Sequence, residues 1–416
     1  MVTLRTSVGR RSVPAAAIVA AMCLASVSAQ RTLPSPKSVL YAGVGEELIT
    51  FGVDAEAATL AKHSSLMLPA FVQEAWASPR NHFLYVAWSN GGASYAGSGV
   101  EPANARHGIT PFRVDQDGTL HQAGQPASLR SRPIHITGDA QGQYLLVAYN
   151  DPSGVSVHVI NADGGIGSEI PQARTLDAGV YGHQVRMLPS NRAVVLVTRG
   201  NEPTATTRED RGALKVFHFN AGVLSDEISI APHDGIAFRA RHLDFHPTRP
   251  WVFLTIESQN RLQVYRRGDD RLETMPLFDK STLPEGASSK GQTASTVHVH
   301  PNGNVVYVGN RGTQPDGRNE IAVFRIDQAT GEPSLIQNID TQGLTPRTFA
   351  LDASARLLVV GNQNTGTARE GGKVTTVPAN LAVFRVGGDG TLTFVRRYEV
   401  AVDRKPLWWM GLVALP

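Results

Sequence analysis

The chain has 416 residues, of which 41% are hydrophobic and only 18% are charged, and its 40 glycines and 25 prolines favour many short strands joined by tight turns over a coiled coil. Its formal net charge of +3 comes from Arg5, Arg10 and Arg11, since the first 29 residues hold no acidic residue and the rest balances 36 basic against 36 acidic residues. The charge therefore gives no reason to expect a nucleic-acid partner.

Residues 1–29 have the pattern of an export signal, with arginines, an apolar stretch over 13–27 and then Ser28-Ala29. We expect cleavage after Ala29 and a periplasmic or secreted protein with no membrane attachment, because about 15 apolar residues are too few to span a bilayer. The adjacent Arg10 and Arg11 leave the twin-arginine route open. Cys23, the sole cysteine, lies in this segment, so the mature chain would have no thiol nucleophile and no Cys-bound metal.

A β-rich pattern recurs six times along the rest of the sequence. Each copy has a short strand, a turn often marked by Pro, Asn or Gly, and a second strand; a third strand rich in Val and Phe follows, and turns such as Asp117-Gly118 lead into a fourth. A similar strand unit at 39–53 raises the count to seven. The six copies cover residues 75–89, 135–150, 184–199, 242–257, 296–311 and 348–363.

This repeat predicts one all-β domain over residues 38–416, a seven-bladed β-propeller of four-stranded antiparallel blades. Small sheets repeated every 50 to 60 residues or so can bury their faces only against neighbouring blades. The alternative, a string of separate β-sandwiches, requires linkers, and no connecting segment has a linker's composition. Trp408-Trp409-Met410 is expected to be the strand that closes the ring against the first blade.

Polar side chains recur where the first strand of a blade starts and the second ends, and these two points open on the same face of a propeller's central channel. Arginine, histidine and glutamate side chains from several blades should therefore converge on one opening, although they are far apart in the sequence. Read along the chain, these positions hold His135, His183, Arg199, Arg241, His242, Glu257, Ser295, Thr296, Arg311, Arg347 and Gln363.

Arg241 and Glu257 are the best-defined local pair, because a tight hairpin lets them face each other and the guanidinium would then lower the pKa of the carboxyl. The pair fits either a structural ion pair that closes the blade or a unit for anion recognition and proton transfer. Arg311 and Arg347 would add fixed positive charge for a carboxylate, a phosphate or a developing oxyanion.

The histidines of this set have two interpretations. His183 could act as a general acid or base near neutral pH, whereas His135 and His242 fit substrate contacts and hydrogen-bonding residues of the channel wall equally well. His298 and His300 lie on the same side of one strand, but no third ligand stands at a recognisable spacing. No Gly-rich phosphate loop opens a helix, so we expect neither a metal nor a nucleotide cofactor.

From residue 38 to residue 412 the sequence resembles the seven-bladed propeller lactonases related to bacterial 6-phosphogluconolactonase and fungal carboxymuconate-lactonizing enzyme. The resemblance is most specific from residue 240 onward. It is carried by Arg241-His242-Leu-Asp-Phe-His-Pro with Glu257, by Thr296-Val-His-Val-His-Pro-Asn-Gly, by Gly309-Asn-Arg-Gly312 with Ile321-Ala-Val-Phe-Arg-Ile-Asp327, by Thr345-Pro-Arg-Thr-Phe349 with Gly361-Asn-Gln363, and by Lys405-Pro-Leu-Trp-Trp409.

The resemblance implies a metal-independent lactone hydrolase that acts on a sugar lactone or a related carboxylated lactone. His183, Arg241, Glu257 and Arg311 match the family's residues for lactone chemistry: His183 or Glu257 would be the general base, and the two arginines would hold the oxyanion. The expected substrate-binding residues are His135, Arg199, His242, Arg347 and Gln363.

Two other functions stay open at this stage. A lactonizing cycloisomerase would use the same residues on a dicarboxylate, and a non-catalytic propeller would bind a partner or a carbohydrate at its rim. The non-catalytic function predicts an arginine cluster exposed on a flat surface. In each case we expect a monomer that binds no nucleic acid.

Overall fold

The computed structural model of the chain describes residues 37–80, 82–91, 104–370, 373–403 and 405–415. Within these ranges the regular structure is β-strand, apart from one short 3₁₀ helix at Pro232–Gly235. None of the helical structure there is long or apolar enough to cross a bilayer. The predicted export signal at residues 1–29 lies outside the described residues.

The first half of the chain supplies three strands to a shared sheet and then three complete blades. In chain order the strands are β1 (Ser38–Val44), β2 (Glu47–Asp54) and β3 (Thr59–Met67); blade 1 with β4 (Phe71–Ala77), β5 (Phe83–Ser89), β6 (His107–Val114), β7 (Leu120–Gln122) and the short β8 (Ala127–Ser128); blade 2 with β9 (Pro133–Gly138), β10 (Tyr144–Tyr149), β11 (Gly154–Ile160) and β12 (Ile166–Glu169); and blade 3 with β13 (Gly182–Met187), β14 (Ala193–Thr198), β15 (Ala213–Asn220) and β16 (Val223–Ile230).

The second half repeats this arrangement. Blade 4 has β17 (Ala240–Phe245), β18 (Trp251–Ile256), β19 (Arg261–Arg266) and β20 (Phe278–Ser281); blade 5 has β21 (Gln292–Val299), β22 (Val305–Gly312), β23 (Glu320–Ile326) and β24 (Pro333–Asp340); blade 6 has β25 (Pro346–Leu351), β26 (Leu357–Asn362), β29 (Asn380–Val386) and β30 (Leu392–Glu399), with the separate hairpin β27 (Gly366–Glu370) and β28 (Lys373–Val377) between them; β31 (Leu407–Ala414) ends the series.

Blade 7 is built from both ends of the domain. Strand β31 pairs antiparallel with β1, from Ser38 opposite Ala414 to Gly43 opposite Trp409, and β2 and β3 complete the sheet. The innermost strand of each blade contacts those of its two neighbours, so β4, β9, β13, β17, β21, β25 and β31 form a closed ring. The predicted all-β seven-bladed propeller and its closing strand are confirmed.

The hydrophobic core lies between the blades and not inside any one of them. Seven clusters of buried residues each span two neighbouring blades; in one, Val195 and Val197 of blade 3 pack with Leu243 and Leu254 of blade 4. A second strand such as Ala-Val-Val-Leu-Val-Thr is buried on both faces, which explains its unbroken apolar sequence. No sheet could bury these faces alone, so the alternative of separate β-sandwiches is wrong.

Asp-Gly turns link blades 1, 2 and 6 each to the blade before it. Gly118 has φ +87°, and a Cβ there would lie 2.7 Å from the Val39 side chain, so glycine fits both the turn and the close approach. The Tyr41 hydroxyl donates a hydrogen bond to the Gly118 carbonyl at 2.7 Å. The same contact recurs between Tyr85 and Gly164 and between Tyr307 and Gly390.

Two long inserts between strands, at 201–212 and 365–378, differ in structure. The insert at 201–212 has no regular structure, but the buried Arg239 of blade 4 pairs with its Glu202 at 3.0 Å and with its Glu209. The insert at 365–378 contains the β27–β28 hairpin. Most of the insert at 91–109 lies outside the described residues.

Candidate active site

A β-bulge interrupts the innermost strand of every blade at the same point, near its first residues. In blade 3, for example, Gly182 lies opposite Thr198 and Gln184 opposite Val197, which leaves His183 as an extra residue. A bulge re-aims side chains and lets consecutive residues face one side of the sheet. The extra residues in the ring are Gln73, Ile134, His183, one of Arg241 and His242, one of Ser295 and Thr296, Arg347, and Trp408.

These bulges direct pairs of consecutive side chains into a central cavity of about 250 Å³. A smaller cavity of about 60 Å³, which we call the arginine cavity, adjoins it. His183, Arg241 and Arg347 line both, so the two form one connected site. The consecutive pairs in the central cavity are Gln73-Glu74, Ile134-His135, His183-Gln184, Arg241-His242, Arg347-Thr348 and Trp408-Trp409.

Glu257 binds three arginines in the arginine cavity. It directly follows β18, Arg199 directly follows β14 of blade 3, and Arg311 lies near the end of β22 in blade 5. Arg199 Nε donates to Glu257 Oε2 at 2.5 Å, Arg241 Nε lies 3.3 Å from Oε1, and Arg311 also donates to Oε1. The predicted pairing of Arg241 with Glu257 is confirmed, and it belongs to a larger cluster.

The arginines decide the ionisation of Glu257. Burial alone would raise the pKa of its carboxyl, but the guanidinium groups of Arg311, Arg241 and Arg199 outweigh burial and hold the pKa well below its usual range. Glu257 is therefore a carboxylate that accepts hydrogen bonds from arginines, and it is a weak proton acceptor.

His183 is buried between the two cavities, and its imidazole is neutral. Burial and the nearby Arg241 lower its pKa well below the ordinary value, although Glu257 acts in the opposite direction. Within the described part of the chain, His183 Nδ1 has no hydrogen-bond partner. A neutral, buried ring nitrogen that faces a cavity can accept a proton from a bound water or substrate.

His242 and His135 extend this group of imidazoles along the central cavity. The His242 ring lies 5.0 Å from the His183 ring and 6.0 Å from the His135 ring, measured between centroids. The Thr296 hydroxyl is 3.2 Å from His242 Nδ1. Burial, together with neighbouring positive charge, lowers the pKa of His135 to about 3 and that of His242 well below its ordinary value. The cluster is uncharged at neutral pH.

Arg347 and Trp408 form a stacked pair where the two cavities meet. The Arg347 guanidinium carbon lies 3.7 Å from the centre of the Trp408 ring, and its Nε donates to the Trp408 carbonyl at 3.2 Å. Arg132 approaches the same ring at 5.4 Å and donates to Gln73 Oε1 at 2.8 Å. Stacking of this kind fixes the position of a planar cation.

The structure brings eight of the nine predicted site residues into the two cavities. Gln363 lies apart from them: it lines an open cleft with Asn364 and Lys405. Its backbone carbonyl accepts a hydrogen bond from Leu407, which ties blade 6 to the closing strand. The end of the second strand thus faces the arginine cavity in blades 3, 4 and 5 but not in blade 6.

The site residues that have no place in the predicted set include Gln73 and Glu74 of blade 1, Arg132 of blade 2 and Trp408 of blade 7. For blade 1 the sequence does contain a signal. Gln73-Glu74 stand six and five residues before the turn proline Pro79, as Arg241-His242 stand before Pro247. Alignment on the turn prolines would have found the blade 1 pair.

His298 and His300 do not meet a third ligand. His298 Nδ1 lies 3.7 Å from Asp244, and His300 Nε2 lies 3.2 Å from the Ala355 carbonyl. Among the residues that the structure describes, no three His, Cys, Asp or Glu side chains gather as a metal would require. The expectation of a metal-independent reaction stays a prediction.

The closed ring of seven blades matches a known family. A model of that family, described as "Lactonase, 7-bladed beta-propeller", matches residues 40–370. The chain belongs to this lactonase family. The matched range contains all four predicted catalytic residues, whereas Trp408 of the closing strand lies beyond it.

Relatives of this lactonase-family chain include two named 6-phosphogluconolactonase. The one from Bacillus subtilis is 26% identical over 298 residues, which are 68% of this chain and 80% of the relative. The one from Yersinia pestis (strain Pestoides F) is 25% identical over 347 residues, 82% of this chain and 87% of the relative. A solved structure of a periplasmic gluconolactonase from Pseudomonas aeruginosa has a TM-score of 0.67 at 20% identity and covers 91% of this chain and 100% of its own, a likeness that shows the fold alone.

Proposed function

We propose that this chain is an exported lactonase that adds water to the carbonyl carbon of a sugar lactone or a related carboxylated lactone. The observation that carries the proposal is the Glu257 carboxylate bound by three arginines, two of them buried, beside the neutral imidazole of His183. The names of the relatives, 6-phosphogluconolactonase and gluconolactonase, support the same substrate class.

In the proposed reaction His183 takes a proton from the attacking water. Glu257, the other candidate base, is poorly suited to this step because arginines bind both of its oxygens, whereas His183 Nδ1 has no hydrogen-bond partner among the described residues. Its role is to hold Arg241 and Arg311 in place. Their guanidinium groups then stabilise the oxyanion that forms when water adds to the carbonyl, as fixed positive charge does in a pocket that excludes water.

The proposal includes export of the mature protein. It rests on the signal pattern of residues 1–29, and the periplasmic location in the name of the Pseudomonas protein supports it. Expression of the full chain in a Gram-negative host tests this part. We expect the protein in the periplasmic fraction with Gln30 at its N-terminus; an intact Met1 in the cytoplasmic fraction would contradict it.

Two alternative functions, a rim-binding propeller and a lactonizing cycloisomerase, are weighed differently by the burial of the arginines. A rim-binding propeller requires exposed arginines, but Arg241, Arg311 and Arg347 are at most 8% exposed. A lactonizing cycloisomerase would use the same cavity in the opposite direction, so the assay must follow both ring opening and ring closure.

The test compares purified wild-type protein with Arg311→Met on a panel of hexono- and muconolactones, followed with a pH indicator, and on the matching open dicarboxylates. We expect the wild type to open at least one lactone, and we expect Arg311→Met to lose roughly 100-fold or more in kcat/KM, the range found when one group that stabilises an oxyanion is removed.

Arg318→Met is the matched control, because Arg318 also pairs with a buried glutamate, Glu320, and lines neither cavity. It should keep activity within about twofold of the wild type. Equal rates in both variants would remove the arginine cavity from the reaction, and ring closure without ring opening would favour the cycloisomerase.

A further inference from the structure

A single acidic side chain, Glu74 of blade 1, is found among the described residues that line the central cavity. The bulge at Gln73 turns it inward, and Gln73 itself is fixed by the hydrogen bond from Arg132. The Glu74 carboxyl accepts a hydrogen bond from the Ala75 backbone N–H at 3.2 Å and interacts with the Trp409 side chain. It is therefore held at the cavity wall, opposite the imidazoles.

Burial favours the protonated form of Glu74, whereas the cationic groups around it oppose that form. On the adjacent strand β9 lies His135, and across the cavity lie His183, His242 and His298. Burial raises the pKa of Glu74 to about 8, and the positive charges of Arg347 and Arg186 offset only part of that rise. Asp244 binds Arg186 at 3.0 Å and so reduces the charge that faces Glu74. The remaining cationic groups nearby are Arg132 and Arg241.

We propose that the Glu74 carboxyl is the acid that protonates the leaving oxygen when the lactone ring opens, a step that rests on the proposed function. The connected cavity thereby has separate places for its two proton transfers. The neutral imidazole of His183 accepts, while the carboxyl of Glu74, on a different blade of the same cavity, donates. Enzymes that use two such groups commonly place them in environments that move their pKa values apart.

The proposed step is balanced in protons and bonds. Water oxygen bonds to the carbonyl carbon and its proton passes to His183. The bond between that carbon and the ring oxygen then breaks, and the ring oxygen takes the proton of Glu74. Transfer of the His183 proton to the Glu74 carboxylate, through water in the connected cavity, restores both groups. The net reaction consumes one lactone and one water and yields one hydroxy acid.

Glu74→Gln tests the proposal on two lactones with different leaving groups. Glucono-δ-lactone releases an alkoxide, which needs a proton as the bond breaks, whereas 3,4-dihydrocoumarin releases a phenoxide, which does not. We expect kcat/KM to fall by about 100-fold or more on the alkyl lactone, as for loss of a general acid, and by less than about tenfold on the aryl lactone. A structural defect would lower both equally.

The pH profile gives a second readout. For the wild type, kcat/KM on the alkyl lactone should fall as pH rises through about 8, because Glu74 loses its proton there. This alkaline limb should be absent in Glu74→Gln. Glu320→Gln, which changes a buried glutamate outside both cavities, is the control and should match the wild type on both lactones. Equal losses on the two lactones, or an unchanged alkaline limb, would overturn the acid role.

Infrared difference spectroscopy separates failure of this inference from failure of the proposed function. We expect the carbonyl stretch of a protonated carboxyl group near neutral pH in the wild type and its loss in Glu74→Gln. If the stretch is present but no lactone is opened, the proposed function fails and the protonated carboxyl stands. If the stretch is absent, the inference fails whether or not the protein opens lactones.

Discussion

The arginine cavity and the central cavity each contain one carboxyl group, and its pKa is shifted in opposite directions in the two. Glu257 is buried and bound by three guanidinium groups, which keep its pKa low despite burial. Glu74 is partly buried, and the positive charges of Arg347 and Arg186 offset only part of the effect of desolvation, so its pKa is raised. Desolvation acts in the same direction on both groups, so direct binding by arginines accounts for the difference in their ionisation. The comparison predicts that the same substitution, Glu to Gln, has different effects in the two cavities.

Glu257→Gln should have the largest effect on stability. It leaves the buried Arg241 and Arg311 and the partly buried Arg199 without their counter-charge, and loss of one partner from a buried ion pair costs about 3–5 kcal/mol. Urea denaturation measures the change in the free energy of unfolding. Glu74→Gln at about pH 4.5 is the comparison variant and should cost about 1 kcal/mol or less, because an amide replaces a neutral carboxyl and the pH-dependent difference between folded and unfolded states is still small at that pH. Similar losses of stability in the two variants would contradict an ionised Glu257 and a protonated Glu74.

The pH dependence of stability should also have opposite signs for the two groups. Glu257 has a lowered pKa when folded, so its contribution is full above about 4.5 and is lost as pH falls. Glu74 has a raised pKa, so the folded state keeps a proton that the unfolded state releases between 4.5 and about 8. Stability should therefore fall across that window as pH rises, by up to about 1.4 kcal/mol per pH unit.

The fall in stability that Glu74 causes between pH 4.5 and about 8 is measured as the difference in the free energy of unfolding between the wild type and Glu74→Gln. Thermal or urea unfolding of both proteins at several values between pH 5 and about 8 should give curves that converge at the acid end and separate at the alkaline end. Parallel curves would show that Glu74 titrates near its ordinary pKa and that the central cavity is wetter than the structure indicates.

The imidazoles of the central cavity should make the protein sensitive to acid at a higher pH than its carboxylates do. The pKa of His135 is lowered to about 3, so below its ordinary 6.5 the unfolded state binds a proton that the folded state does not. Stability is then lost as pH falls through 6.5, by about 2 kcal/mol at pH 5 for this one group. His135→Asn should lose less stability than the wild type between pH 6.5 and 5 in the same unfolding assay. Equal losses would contradict the neutral, buried imidazole.

The fold could be predicted from the sequence because its signal is periodic. The second strands end at Tyr149, Thr198, Ile256 and Asn362, where the turn spacing places them, since each blade must present the same apolar faces to its neighbours. The pairing of Arg241 with Glu257 followed from the same spacing, because a tight hairpin fixes which residues lie opposite each other.

The rest of the site depends on the bulges, which leave no trace in hydrophobic periodicity. A bulge adds one residue before the strand resumes its alternation, so strand ends alone give only one residue of the pairs in blades 2, 3 and 6 and omit Gln73 and Glu74 altogether. The sequence does not predict the ionisation state of Glu74 either, because that state depends on side chains from other blades. Gln363 is the opposite case, since a position equivalent by repeat in blade 6 faces a different cleft.

The smallest effect should come from Glu202→Gln, at the edge of the arginine cavity. Glu202 is about half exposed; it contacts Arg239 at 3.0 Å and accepts a hydrogen bond from Ser258 at 2.8 Å, and it lies 3.6 Å from Arg199. Arg239 keeps its second partner, Glu209, so the buried guanidinium is not left without a counter-charge. We expect less than about 1 kcal/mol in the free energy of unfolding, as for partly exposed ion pairs.

For activity, the same variant tests where the functional site ends. If Glu202 only holds the 201–212 insert beside the cavity, Glu202→Gln should leave kcat within about twofold and change KM by a few-fold at most, because the insert contributes Asn201 to the cavity wall. A fall in kcat comparable to that of Arg311→Met would mean that Arg199 needs Glu202 as well as Glu257 to keep its position. The charge network that sets the ionisation of Glu257 would then extend from the buried arginines to the solvent-exposed rim.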